Sequence, residues 1–447
     1  MSGERYDAVV IGAGPAGEVA ASRLPKLGLR TALVERELVG GECAYWACIP
    51  SKTLLRAPEV RSEARRAAGV EEPGHEWSDL VEYRDFMIRD LDDSKQVAGY
   101  REDGVDVYRA EARVTGPGRV QVGDETIEAE RIIVATGSAS AVPSIDGLEE
   151  AGYWTNREAT TLKELPRSVA VLGGGPVGVE LGQFMRRMGV DVTIVEKHDR
   201  PLAREEAAVG ELLKGALAED GVTLRLGGEV GRVTREGDER VLHLREGGEV
   251  RAERILVAVG REPRIPDGLE DLGVEVEERG IRVDERCRAA EGVWAVGDVT
   301  GVMPFTHVGK YQARIVLADI AGEDPHADYS AVPRVVFSDP EVAAVGMTAD
   351  AAREEGIDAA TAELDLPESI SRPWMYERDP RGSLGVVADR ERGVLVGAWA
   401  VAPLASEWIH YAALAIKTAT PIAVLRDTVA QFPSYTEGYL NALEQLD

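Results

Sequence analysis

Along its first two thirds the chain alternates short, continuous apolar runs with turns of small residues. Residues 6–11 form one such run, which passes directly into Gly12-Ala13-Gly14-Pro15-Ala16-Gly17, then a helical stretch to about Leu27 and a second apolar run over 31–34 closed by Glu35. The same order returns at 168–172, followed by Gly173-Gly174-Gly175-Pro176-Val177-Gly178, a helical stretch to Met188, and a run over 191–195 closed by Glu196. The glycine-to-glutamate offset is 23 residues in both copies (Gly12 to Glu35, Gly173 to Glu196). Apolar runs of this length, bounded by turn residues, predict strands. Further apolar strands are expected at 132–134 before Ala135-Thr136-Gly137, at 255–257 before Ala258-Val259-Gly260, and at 293–296 before Gly297-Asp298.

From Pro333 the pattern changes. Residues 335–337, 382–388 and 394–401 read as antiparallel strands, helices are expected over 405–417 and 422–430, and there is no third glycine-rich turn. This part reads as an α+β domain that covers a sheet or pairs with another subunit.

Each repeated unit has the order strand, glycine-rich turn, helix, strand, acid of a Rossmann dinucleotide site. In such a site Gly12 and Gly173 make the turn, Gly14 and Gly175 let the backbone approach a pyrophosphate, and Gly17 and Gly178 let helix and strand pack closely. The helix N-terminus offers unpaired N–H groups and the positive end of its dipole to phosphates. Glu35 and Glu196 are placed to accept from ribose hydroxyls. Two sites at one spacing imply two dinucleotides in one chain. At the second site the charge of Glu196 repels a 2′-phosphate and favours NAD(H), although Lys197, His198 and Arg200 follow at once.

Composition narrows the field. A chain of 447 residues holds two to four domains, and 44% hydrophobic with 29% charged residues is ordinary for a globular protein. A net charge of −28 without a basic stripe excludes nucleic acid as partner and disfavours anionic membranes. The pairs Arg65-Arg66 and Arg186-Arg187 read as solvated helix faces. No run of 18 apolar residues occurs, and the first strand begins by Tyr6, so neither a membrane span nor a signal peptide is expected and the cytoplasm is the expected compartment. Three cysteines are too few for a secreted disulfide framework, and a disulfide in the cytoplasm is more often catalytic than structural.

Two of those cysteines lie in Gly40-Gly41-Glu42-Cys43-Ala44-Tyr45-Trp46-Ala47-Cys48-Ile49-Pro50-Ser51-Lys52. Proline early in a helix is well tolerated, so Cys48 is expected near a helix N-terminus, where the dipole favours a thiolate. Cys287 reads as a partly exposed residue at a strand end, and His410 as a structural residue near the start of a helix.

The cysteine motif, both glycine-rich turns, Ala135-Thr136-Gly137, Glu180, Gly260-Arg261, Gly297-Asp298 and Phe337-Ser338-Asp339-Pro340-Glu341-Val342 together resemble the pyridine nucleotide-disulfide oxidoreductases of the glutathione reductase and dihydrolipoyl dehydrogenase type. The resemblance implies an α/β fold with two Rossmann-like dinucleotide-binding domains and a C-terminal α+β dimerisation domain. It implies an FAD-binding domain over 1–150 and 268–330, an NAD(P)-binding domain over 151–267 and an interface domain over 331–447. It further implies FAD on the first Rossmann unit, a nicotinamide cofactor on the second, and a homodimer whose active sites draw on both subunits. Asp298 would contact the ribityl or phosphate region of FAD, and Lys52 and Glu180 would pair near the flavin N5. Cys48 would face the flavin and Cys43 would exchange with a small disulfide or dithiol substrate, in either direction.

One position departs from that pattern. Disulfide-active members carry a His-Pro-Thr-x-Ser-Glu run near the C-terminus, whose histidine shuttles the exchange proton and whose glutamate orients it. Here the run is Phe432-Pro433-Ser434-Tyr435-Thr436-Glu437. Three readings stand open: disulfide chemistry with a substitute acid among Tyr435, Tyr439 and Glu437; another acceptor such as a quinone, a metal ion or a sulfur-containing metabolite; or a silenced flavoprotein kept as a binding partner. Mercuric reductases, which carry tyrosine at this site, end in a cysteine pair that residues 443–447 lack, which reads against mercury. Tyr45 and Trp46 stand where the family has small or aliphatic residues, and Trp46 either packs into the core or narrows the substrate site.

Overall fold

The structure is a computed structural model that describes residues 4–446. Its contacts divide the chain into two compact units, one of Met1–Pro50, Glu82–Ala141 and Arg261–Asp328, the other of Ser51–Val81, Val142–Gly260 and Tyr329–Asp447.

The first unit is built on an eight-stranded sheet whose main path runs Arg288–Ala290, Val293–Ala295, Glu125–Val134, Arg5–Ile11, Thr31–Glu35, Val105–Arg109. The four strands from Val293–Ala295 to Thr31–Glu35 are parallel, with Val9 opposite Ala32 on one side and Ile132 on the other. Alternate side chains of a strand point to opposite faces. Ala8, Val10, Leu33 and Ile133 therefore pack with Ala16, Ala20, Ala313 and Val316 in one core, while Val9, Ile11, Val34, Ile132 and Val134 pack with Val114, Val120 and Ile127 in another. Both faces are covered, which is why the sequence shows continuous apolar runs here and not an alternation.

The second unit holds a parallel sheet in the order Thr223–Leu226, Asp191–Glu196, Ser168–Leu172, Arg254–Val257, a three-stranded antiparallel sheet over 230–252, and a five-stranded antiparallel sheet in the order Pro333–Val336, Glu341–Gly346, Val394–Ala402, Ser383–Asp389, Ala359–Asp365. The helix Pro176–Arg187 buries Val179, Leu181, Phe184 and Met185 in a core shared with Val171, Ile194, Val342 and Trp399. The strands Glu341–Gly346 and Ala359–Asp365 had no sequence signal. Both are rich in alanine, which favours strands little, and their place is set by pairing across the sheet.

Three expectations are corrected. The helix expected over 405–417 is broken into Ala405–Trp408 and His410–Lys417, and that expected over 422–430 ends at Arg426. Cys287 is fully buried among the strands of the first unit, since Trp294 and Val296 close over it. The arginine pairs are not simply solvated. Arg66 meets both oxygens of Asp339 at 2.9 Å, and Arg187, with its side chain 8% exposed, meets the same carboxylate at 2.9 Å. Burial alone would raise the Asp339 carboxyl, but the charges of Arg187 and Arg66 outweigh it and hold it below the usual carboxylate range.

Candidate redox and dinucleotide-binding site

The two glycine-rich turns have the same geometry, residue for residue. Gly12 and Gly173 adopt φ of +102° and +105°, and a Cβ on either would lie 2.4 Å from the Ala135 carbonyl oxygen or 2.5 Å from that of Ala258. A Cβ on Gly17 or Gly178 would lie 1.9 Å from the Gly12 carbonyl oxygen or 2.0 Å from that of Gly173. Gly14 and Gly175, by contrast, have nothing within 4 Å of that position. Each precedes a helix with proline in its first turn, Pro15–Ala21 and Pro176–Arg187. The open glycine thus stands at the helix N-terminus, where a phosphate is bound by free amides. Both acids turn back onto their own loops: Glu35 accepts from the Ala13 amide at 2.7 Å, and Glu196 from the Gly174 amide at 2.6 Å. Burial would raise the Glu196 carboxyl, but the His198 and Gly174 amides and the His198 ring outweigh it and hold it low, so it stays charged.

In the first unit a groove enclosing about 1110 Å³, partly open to solvent, is lined by Gly12, Gly14, Glu35, Cys43, Thr136, Gly137, Asp298 and Thr306 among others. Seven positions expected from the sequence are thereby brought together. Gly17 is not on the groove wall; it sits behind, where helix meets strand. Gly137 turns with φ +68°, and the Thr136 hydroxyl donates to the Arg264 carbonyl at 2.5 Å. Asp298 accepts from the Ser138 hydroxyl at 2.5 Å, and that hydroxyl accepts from Arg261 Nε at 2.7 Å. The roles of Ser138 and Arg264 had no motif to reveal them, because strands far apart in sequence bring them to the groove. The donors, the acid and the cradle of glycines fit FAD.

The redox segment is split between two helices. Cys43 lies in the short helix Gly41–Tyr45, and Cys48 is the first residue of the helix Cys48–Arg66. Gly40 and Gly41 take φ of +124° and +63°, and a Cβ on Gly41 would sit 2.7 Å from Gly14 Cα, so the segment is pressed against the first glycine turn. Tyr45 is fully buried and Trp46 half-buried. Thr306, at the start of the helix Thr306–Ile320, donates to Cys43 Sγ at 3.2 Å and lies 3.6 Å from Cys48 Sγ. The sequence carried no signal for Thr306, since it lies more than 250 residues downstream of both cysteines. The hydrogen bond with Cys48, then burial, then the charge of Cys48 push the Cys43 thiol up, against the Thr306 hydroxyl and Lys310.

In the second unit Lys52 Nζ meets Glu180 Oε2 at 2.7 Å. The other Glu180 oxygen accepts from the Phe337 amide at 2.9 Å, and the Lys52 ammonium stands 4.9 Å from the centre of the Phe337 ring. Gly260 turns with φ +148° after the strand Arg254–Val257. Glu437 begins the helix Glu437–Glu444; its Oε2 is buried and meets no hydrogen-bond partner among the described residues. Phe432 is 61% exposed. Tyr435 and Tyr439 point inward, against Trp408 at 5.7 Å and Tyr411 at 5.2 Å between ring centres. Burial pushes both phenols up, so both keep their protons.

The profile of the family described as pyridine nucleotide-disulphide oxidoreductase matches residues 6–313, and that of its dimerisation domain matches residues 332–443. The chain is 35% identical to a dihydrolipoyl dehydrogenase of Thermus scotoductus (99% of this chain, 97% of that protein) and 32% identical to a mercuric reductase of Bacillus cereus (99% and 72%). Among solved structures it is similar to the HOCl-induced flavoprotein disulfide reductase RclA of Escherichia coli as its Cu(II) complex, with 28% identity, a TM-score of 0.88 and coverage of 98% and 100% of the two chains. The paired glycine turns, the groove they open onto and the cysteine segment pressed against the first turn are thus those of a family, and the chain belongs to the class I pyridine nucleotide-disulfide oxidoreductases.

Proposed function

We propose that this protein is an NADH-driven flavoprotein reductase that delivers electrons through Cys43 and Cys48 to a small sulfur substrate, and that it serves poorly as a lipoamide dehydrogenase. The observation that carries the reading is the sulfur pair beneath one hydroxyl, with Cys43 and Thr306 at the wall of the groove that fits FAD. FAD, when bound, would relay two electrons between the nicotinamide and the cysteine pair. Gly12, Gly14 and Gly17 with the helix Pro15–Ala21 would hold its pyrophosphate, Glu35 its ribose, and Asp298 with Thr136 and Gly137 the far part of the groove. Gly173, Gly175, Gly178 and Gly260 would hold the nicotinamide cofactor in the second unit, and the ionised Glu196 would select NADH over NADPH.

Cys48, at a helix start, would keep its charge as thiolate. Cys43 would form the mixed disulfide with the substrate, and Cys48 would resolve it. The domain limits stated above, with the interface domain over 331–447, go with this reading, and the matched dimerisation domain supports a homodimer.

Phe432 and the orphaned Glu437 oxygen favour a second acceptor class, a thiophilic metal ion, because electron transfer to a thiolate-bound metal needs no proton shuttle. The similar RclA structure is titled as a Cu(II) complex.

A screen of acceptors with NADH and NADPH, on the wild type and on Cys43→Ala, tests the proposal. The expected result is NADH-dependent turnover with small disulfides or thiophilic metal ions, lost in Cys43→Ala. Full activity in Cys43→Ala with a quinone alone would move the chemistry off the cysteine pair, and turnover with lipoamide at the rate of other acceptors would remove the role given to Phe432.

A further inference from the structure

The Cys43 thiol is pushed up, yet the family's histidine is absent at position 432. Something must offset the cost of ionising Cys43. The helix Thr306–Ile320 provides it. Thr306 reaches Cys43 from the first turn of this helix, and Lys310, four residues on, shares its face one turn away. The helix lies close against Pro15–Ala21, since a Cβ on Gly309 would come within 3.1 Å of Ala16 Cβ. Lys310 thus follows Thr306 by one turn on a helix packed against the one that bears Glu18, and its positive charge favours the ionised forms of both Cys43 and Glu18.

We propose that Lys310 is the cation that stabilises the Cys43 thiolate during exchange, in a protein without the histidine.

This rests on the reading of Cys43 as the exchange thiol. The groups that face Cys43 are Cys48, Thr306 and Lys310. Those that face Glu18 are Lys310 and Arg89, with Tyr45 and Tyr100 nearby. Burial raises the Glu18 carboxyl, and the charges of Lys310 and Arg89 only partly offset it. Lys310 takes no proton in this account. Cys43 S–H gives its proton to water; the thiolate attacks a substrate disulfide, forming one S–S bond and breaking another; the leaving thiolate is protonated by water; Cys48 then displaces the second half of the substrate and closes the Cys43–Cys48 bond. A nearby positive charge makes the first step less costly, and a charge on an exposed side chain does so in a salt-dependent way.

The test uses the full-length holoprotein, reduced anaerobically with one equivalent of NADH and labelled with iodoacetamide between pH 5.5 and 9.5, the labelled cysteine being identified by peptide mass spectrometry. Lys310 is exposed, so its replacement leaves the core intact. In Lys310→Gln the midpoint for Cys43 labelling is expected to rise by about one pH unit, equivalent to about tenfold in thiolate fraction. Lys310→Arg should restore the wild-type profile, 1 M salt should shrink the difference, and the thiolate-to-flavin absorption of Cys48 should be unchanged. A Lys310→Gln profile that superimposes on the wild type overturns the assignment. Labelling of Cys48 in place of Cys43 overturns the underlying reading of the two sulfurs, a failure distinguishable from the first.

Discussion

Phe432 stands where the sequence departs from its family, while Glu437, the acid of the same run, is retained. A carboxylate oxygen buried without a partner is costly, on the order of 1–3 kcal/mol, so such groups are rare and call for an explanation. In the family pattern a histidine stands at position 432, and the phenyl ring found there has no N–H to donate. Phe432→His should give Glu437 its partner and raise lipoamide turnover by about 100-fold or more, the scale of positioned acid–base catalysis. Unchanged turnover in that variant would show that the histidine position is not what limits disulfide exchange. The inward turn of Tyr435 and Tyr439 could not be read from the sequence, because a tyrosine has the same letter whether its hydroxyl faces substrate or a stack of aromatic rings. Thr306 was hidden for a related reason: it acts on sulfurs far away in the chain, and no local spacing marks it.

At the scale of elements, the strand–turn–helix repeat was almost wholly legible, because glycine is required there by backbone geometry that no other residue satisfies. Ser168–Leu172 was read to the residue, and Thr31–Glu35 and Asp191–Glu196 each run just one residue longer than expected, through the terminal acid. The alanine-rich strands of the five-stranded sheet were missed, since their burial comes from partners supplied by the fold. The repeat also allows the two nucleotide sites to be separated by mutation. A Cβ on Gly17 would collide with the Gly12 carbonyl, and one on Gly178 with that of Gly173. Gly17→Ala is expected to lower the FAD content of the purified protein, read from its visible absorbance. Gly178→Ala should keep its flavin and raise the KM for NADH at least severalfold. Equal flavin loss in both variants would contradict the assignment of one site to each cofactor.

At the scale of the whole molecule, the fold class and the chemistry of its groove followed from the sequence, while the ionic node that ties distant segments of the second unit did not. Arg66 closes a helix, Arg187 closes another, and Asp339 stands before the strand Glu341–Gly346; the three meet only in the folded chain. Removing one partner of a buried ion pair costs about 3–5 kcal/mol, so Asp339→Asn should lower the unfolding free energy by about that amount in urea titrations. The sign of the pH dependence follows from a carboxyl held below its usual value. Its contribution is complete above the unfolded carboxylate pKa of about 3.9 and is lost as pH falls through the lower folded value. The difference in stability between the wild type and Asp339→Asn should therefore be constant from neutral pH to about pH 5 and shrink below about pH 4. A difference that is absent at pH 7 would show that the node contributes nothing. The matched dimerisation domain supports a homodimer.

Everything in this account depends on electrons from NADH reaching Cys43 and Cys48. Anaerobic addition of one equivalent of NADH to the flavin-replete protein, followed by optical spectroscopy and by counting thiols labelled before and after, tests that most directly. The expected result is a long-wavelength thiolate-to-flavin band, lost in Cys48→Ser, together with new labelling confined to Cys43 and Cys48. Complete bleaching of the flavin with no band and no new thiols would contradict it.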